Sequence, residues 1–301
     1  MSQPVVHQSV LSKEVLELLA PAFAGADEHT YLDLNLGAGG HAALIASKFH
    51  PSTIVGIDTD PDAVAISSKR LTGLAPKLHL TAAWSDELNR VLDEAGIQHV
   101  SGALLDLGLR SDQLEGSGRG FSFRADEPLL MTMRPGDSPT AADLVNDLPE
   151  GELAELIETL GEEKFARRIA GAIVDRRLAR PFERSLELAE VIARATPVSY
   201  QAGRIHPATR TFQALRIATN GELARLGRAI DAAFCRLAAG GRMLAISFHS
   251  LEDRIVKQKF AALSREGHGR LLTKKPIVPS TDEVSRNPRA RSAKLRGVQK
   301  I

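Results

Sequence analysis

Cysteine is nearly missing from this sequence: one residue, Cys235, among 301. A lone thiol excludes an internal disulfide and any cysteine-cluster zinc or iron–sulfur centre, and no other metal site is expected. Cys235 stands in the apolar run Ala232-Ala-Phe-Cys-Arg-Leu237, so a buried core thiol is the expectation. Aromatic residues are scarce at 4%, with a single tryptophan, Trp84, which makes that one position worth following. No apolar run approaches the roughly 20 residues of a membrane span. The opening M-S-Q-P-V-V-H-Q-S-V lacks a charged start followed by an apolar core, so no signal peptide is expected. There is no internal repeat and no low-complexity segment. A cytoplasmic protein with no membrane partner is the default.

What remains is ordinary globular composition, 43% hydrophobic and 25% charged, in a length that suits one large domain or two smaller ones. Net charge is +1, but it is unevenly spread. Ala262–Ile301 carries 10 Lys/Arg and 3 Asp/Glu, a net of +7, which leaves −6 for the rest. A basic tail on an acidic body points to a polyanionic partner met by one surface.

The chain is organised around Thr30–His41, T-Y-L-D-L-N-L-G-A-G-G-H. Tyr31, Leu32, Leu34 and Leu36 read as a short buried strand. Gly37, Gly39 and Gly40 then let the backbone bend and lie close to a ligand. A second strand, Thr53–Asp58, ends in a carboxylate suited to a ribose diol, since an ionised carboxylate accepts from two hydroxyls. Strand, glycine turn, helix, strand and terminal acid is the nucleotide-cradling half of an α/β sheet. The spacing G-x-G-G differs from the G-x-G-x-x-G of dinucleotide enzymes and favours S-adenosylmethionine over NAD.

In order along the chain, Leu11–Leu19 has helical periodicity with Ser12 as its N-cap. Ala42–Phe49 forms a helix stopped by Pro51. Asp60 caps the next helix with Pro61 in its first turn. Lys77–Ala83 is a third strand, followed by Trp84, and a helix ends near Gly96. Val100–Gly108 is a fourth strand with Asp106 near its end. Strands this apolar imply a parallel sheet covered on both faces. From Ser111 to about Leu215 no buried strand is expected. Gly116–Asp137 reads as a loop, and Glu152–Leu160, Glu163–Leu178 and Leu186–Ala195 as helices of an insertion. A helix over Glu222–Ala238, a strand over Gly240–Phe248 and a last strand over Ser292–Gln299 complete the reading. The domains are thus 1–112, 113–215 (helical insertion) and 216–301.

Open parallel sheets bind ligands beyond the C-terminal ends of their strands. That rule gathers Asn35–His41, Asp58, Trp84, Asp106–Gln113 and Ser247–Ser250 around one crevice. Trp84 is placed to stack on an adenine ring, a contact worth about 1–3 kcal/mol.

Several blocks then carry a resemblance: R-G-F-S-F (Arg119–Phe123), G-E-E-K-F-A-R-R-I-A (Gly161–Ala170), H-P-A-T-R-T-F-Q-A-L-R-I (His206–Ile217), I-S-F-H-S-L-E-D-R-I-V-K (Ile246–Lys257) and N-P-R-A-R-S (Asn287–Ser292). With Gly39–His41 and L-L-D-L-G at Leu104–Gly108, they resemble the MraW/RsmH family of bacterial small-subunit (16S) ribosomal RNA cytosine-N(4)-methyltransferases, over nearly the whole chain. The resemblance implies a Rossmann-like S-adenosylmethionine-dependent methyltransferase sheet with an all-helical insertion domain. It implies methylation of the exocyclic 4-amino group of a decoding-region cytidine, with the small ribosomal subunit and its 16S rRNA as partner. A homodimer is compatible with it. Carried over by position, the cofactor contacts fall on Gly39, Gly40, His41, Asp58, Trp84 (phenylalanine in relatives), Asp106 and Gln113.

An aromatic amine is a poor nucleophile because its lone pair is delocalised into the ring. The enzyme must orient it and accept its hydrogens. Asp106, Asn35 and Ser111 are the leading acceptors, with Asp112 beside them, and Phe121 or Phe123 is a candidate wedge for a flipped base. Arg289, Arg291 and Lys294 are the candidate RNA-binding residues. The sequence also departs from the family. Leu34 and Asn35 replace a small residue and threonine, Leu109–Gln113 replaces V-S-S-P-Q, and Leu130, Thr132 and Arg134 interrupt P-L-D-M-R-M-D. These loops are expected to face the methyl group and the base. The expectation is retained cofactor binding with transfer at least about tenfold slower than in relatives. The alternative is a catalytically impaired homologue that binds cofactor and ribosome.

Overall fold

The computed structural model describes residues 9–25, 28–108, 116–201 and 205–301. The chain divides into two compact units, Met1–Gly108 with Leu223–Ile301, and Leu109–Glu222.

In the first unit, among the described residues, seven strands form one sheet: β1 (Thr30–Asp33), β2 (Thr53–Asp58), β3 (Lys77–Ala82), β4 (Val100–Asp106), β5 (Leu237–Ser247), β6 (Gly269–Leu271) and β7 (Lys294–Lys300). Their order is β3-β2-β1-β4-β5-β7-β6. β1 pairs in parallel with β2 and β4, whereas β7 runs antiparallel to both β5 and β6. The wholly parallel sheet of the sequence reading is therefore corrected at this edge. The short β6 went unforeseen because three residues carry no period.

Alternation builds a core on each face. Tyr31, Ile54, Leu104 and Leu244 point to one side, and Leu32, Val55, Leu105 and Ala245 to the other, all of them buried. Around the sheet stand α1 (Ser12–Leu19), α2 (Gly40–Phe49), α3 (Pro61–Leu71), α4 (Leu88–Glu94), then, later in the chain, helices Glu222–Arg236, Ser250–Arg265 and Thr281–Arg286. Asp60 does cap α3, its Oδ1 accepting from the Asp62 N–H at 3.1 Å. Ser12 does not cap α1. The cap is Leu11 in the left-handed region (φ 53°), and the Ser12 hydroxyl donates to the Ser9 carbonyl.

Cys235 is exposed, against the expectation of a core thiol. On helix Glu222–Arg236 the buried residues are Leu226, Ala229, Ile230, Ala233 and Phe234. That stripe is the core face of a 3.6-residue period, and position 235 falls outside it. The flanking apolar residues mislead because they belong to the stripe and Cys235 does not.

The second unit is helical among its described residues, with helices Ala141–Asp147, Glu150–Gly161, Ala166–Arg177, Ser185–Ala195, Val198–Gln201 and Ala208–Asn220 around one apolar core. The loop before them is pinned. Gly120 N–H donates to Glu127 Oε2 at 2.8 Å, and Asn220 bridges it by accepting from Met133 N–H and donating to the Met131 carbonyl. Met131 itself sits at φ 55°, a strained position that these bonds hold in place.

Candidate active site

The turn after β1 has Gly37 at φ 54° and Gly39 at φ 70°, conformations that a side chain disfavours. Gly37 N–H donates to Asp58 Oδ2 at 2.8 Å and Asp60 N–H to Asp58 Oδ1 at 2.9 Å. Two backbone donors thus aim the carboxylate at the end of β2. Gly40 opens α2, and His41, its second residue, is buried with Nε2 3.5 Å from Asp106 Oδ2.

Beneath the turn lies a set of carboxyl groups. Asp33, at the end of β1, is 1% exposed. Its Oδ2 accepts from the Tyr31 hydroxyl at 3.1 Å and its Oδ1 from the Asn35 N–H at 3.3 Å. Burial dominates over those bonds and pushes its carboxyl up to about 7. Asp106, ending the neighbouring β4, is pushed up to about 8 by burial first, then by the negative charges of Asp33 and Glu252. Its side chain keeps 28% of its surface open, while Oδ1 is sealed in. Among the described residues, neither Asp106 Oδ1 nor Asn35 Oδ1 has a hydrogen-bond partner. β1 and β4 pair as far as Asp33 and Leu104, and Asn35 and Asp106 each follow two positions further along the chain. Buried acceptors without donors are costly and call for a ligand that brings N–H groups.

Trp84 follows β3, two residues after Ala82, which pairs with Asp58. The indole is only 9% exposed, and the Arg225 guanidinium lies over it, 4.1 Å from the ring centroid.

Against known proteins, residues 4–301 match the model of the MraW methylase family. The chain belongs to that family. It is 47% identical over 295 residues to the "Ribosomal RNA small subunit methyltransferase H" of Synechococcus elongatus, covering 98% of this chain and 95% of that protein. Proteins of the same name from Trichlorobacter lovleyi and Saccharopolyspora erythraea are each 44% identical, with 98% of this chain and 98% and 93% of theirs covered. S-adenosylmethionine is the methyl donor of this methylase. The residues suit it. Its ammonium would bring an N–H donor to the sealed oxygen of Asp106, and the N-terminus of α2 would suit its carboxylate.

The MraW methylase sheet brings Asn35, Gly39, Gly40, His41, Asp58, Trp84 and Asp106 to the C-terminal ends of adjacent strands. Ser111 and Gln113, with Arg110 and Asp112, lie outside the described residues. Arg289 and Arg291 are exposed on a short 3-10 turn. Lys294 lies within β7, its Nζ 3.3 Å from Asp253, which also holds the buried Arg296 at 2.7 Å. Phe121 is buried in the insertion's core, and Phe123 stacks on His206 at 4.4 Å, so both pack within the second unit. Packing, not a wedge, is what the structure gives them. Thr132 is buried and Arg134 exposed.

Sequence reasoning missed Asp33 and Glu252. Asp33 obeys the rule that picked Asp58 and Asp106, an acid at a strand's end. Glu252 gave a weaker signal, as the third residue of a helix whose N-cap is His249. Its Oε2 accepts from the Phe248 and His249 N–H groups at 2.8 and 3.2 Å, fixing the turn after β5.

Proposed function

We propose that this chain transfers the methyl group of S-adenosylmethionine to the exocyclic 4-amino group of a cytidine in the decoding region of small-subunit ribosomal RNA, in the cytoplasm. The names of its relatives support the substrate class. The observation that carries the chemistry is the pair of sealed, donor-less acceptors, Asn35 Oδ1 and Asp106 Oδ1, which follow the adjacent strands β1 and β4.

In this reading Asp58 accepts from the ribose hydroxyls and Trp84 meets the adenine. Gly39, Gly40 and His41 present the N-terminus of α2 to the methionine carboxylate. The bound donor supplies an electrophilic methyl carbon on a sulfonium. Asn35, with Ser111, accepts N–H bonds from the base amine and holds its lone pair in line with that carbon. Asp106 serves both partners: its carboxylate stabilises the donor's cation and the positive charge developing on the amine. The nitrogen–carbon bond forms as the carbon–sulfur bond breaks, and the amine proton passes to Asp106. Gln113 completes the cofactor contacts, and Arg289 and Arg291 contact RNA phosphate. The helical insertion serves as the substrate-recognition domain.

The deciding experiment is transfer of radiolabelled methyl groups to small subunits from a strain lacking the modification. Label recovered as N4-methylcytidine is the expected result; label in another nucleoside, or none, overturns the reading.

A further inference from the structure

Trp84 is held at its backbone and over its ring. Its N–H donates to Glu87 Oε2 at 2.8 Å, which fixes the backbone after β3. The Arg225 guanidinium covers the indole at 4.1 Å, well inside the roughly 6 Å reach of a cation–π contact. Asp86 then locks the guanidinium, accepting from Arg225 Nη1 at 3.0 and 3.3 Å. The same carboxylate accepts from Arg228 Nε and Nη2 at 3.0 and 2.8 Å, so two arginines one turn apart are tied to one acid. An apolar side chain would fill the space over the ring equally well. A charged group tethered at its far end controls orientation as well as filling space.

We infer that Arg225 is a positioning residue of the cofactor site: clamped by Asp86, it fixes the plane of Trp84 so that the remaining indole surface receives the adenine ring. The inference rests on the reading that Trp84 meets the adenine. The sheet register supports that reading, because Trp84 follows two residues after Ala82, the β3 partner of Asp58, and adenine is attached to the ribose that Asp58 would hold. Preorganising an aromatic platform reduces the ordering that binding must otherwise impose. A phenylalanine at position 84 would offer a smaller surface to the guanidinium, and tryptophan is the strongest partner for a cation.

The chain's single tryptophan makes the test direct, since indole fluorescence reports position 84 alone. S-adenosylhomocysteine should change the wild-type emission saturably. Arg225→Ala should shift the emission to the red, open the indole to acrylamide quenching and raise the calorimetric Kd by about three- to tenfold. Arg225→Lys, which keeps the charge but loses the fork, should fall between, and melting curves on both variants establish that they are folded. In the Trp84→Ala background, Arg225→Ala should add no further loss. Additive losses, unchanged affinity, or tighter binding by Arg225→Ala each overturn the inference; tighter binding would mean that the guanidinium occupies the adenine's place. If Trp84→Ala alone binds like the wild type, the placement of Trp84 at the adenine is what fails, and the role of Arg225 falls with it.

Discussion

His41 Nε2 lies 3.5 Å from Asp106 Oδ2, joining the first turn of α2 to the end of β4. The contact ties the helix that follows the glycine turn to the carboxyl at the centre of the site.

Asp106 holds its proton up to about pH 8, pushed there by burial and by Asp33 and Glu252. A cationic ligand favours the ionised carboxylate, so binding must expel the proton at lower pH. Affinity for S-adenosylmethionine should therefore rise between about pH 6 and 8, by up to about tenfold per unit, and level off above. Calorimetry in two buffers of different ionisation enthalpy should show proton release at pH 7. Asp106→Asn should abolish both effects; a pH-dependence that survives the substitution assigns it to another group.

Asp58 accepts from two backbone N–H groups, one at each carboxylate oxygen. Asp58→Ala should weaken cofactor binding by about 1.5–3 kcal/mol, as expected for lost hydrogen bonds to a charged group. Unchanged affinity by calorimetry removes Asp58 from the site.

Asp33 couples the site to stability. Its folded-state value of about 7 lies above the ordinary carboxylate value near 4, so the unfolded chain ionises first as pH rises. Stability should thus fall from about pH 4 to 7 and then level, with Asp106 extending the fall to about 8. Asp33→Asn cannot ionise. Urea denaturation should find it more stable than wild type at pH 8, by on the order of 1–3 kcal/mol, with no gain at pH 4. An equal gain at both pH values would mean that packing, not ionisation, is responsible.

Gly161 marks a close helix crossing in the insertion. A Cβ there would stand 2.6 Å from the Arg210 carbonyl oxygen, on backbone that cannot swing aside. Gly161→Ala should destabilise the protein by about 1–3 kcal/mol through overpacking. A denaturation midpoint equal to wild type would show that the helices separate at no cost.

The basic tail divides by exposure once the fold is known. Arg289 and Arg291 are exposed, Lys294 is half-buried and Arg296 is buried, the last two bonded to Asp253. The Arg289→Ala/Arg291→Ala double variant should flatten the salt dependence of binding to ribosomal RNA. Lys294→Ala should leave most of that slope in place. The reverse ranking would place the RNA contact on β7.

The sequence alone determined the elements whose signals are local. β2 runs over the predicted Thr53–Asp58, because a run of apolar residues between turn signals needs no tertiary help to be read. Gly37 and Gly39 take positive φ in the glycine turn read from the sequence, and the blocks quoted between Arg119 and Ser292 pointed to the family now matched over residues 4–301. Tertiary structure decided what depends on residues far apart in the chain. The charge of Asp33 pushes the Asp106 carboxyl up because β4 lies beside β1. Arg225 reaches Trp84 because helix Glu222–Arg236 returns over the sheet face that α4 also covers. Cys235 turns outward because the core claims the stripe beside it. Periodicity reports which face of an element is apolar. It carries no information on which distant charge will be buried beside which other, and that proximity sets the chemistry of this site.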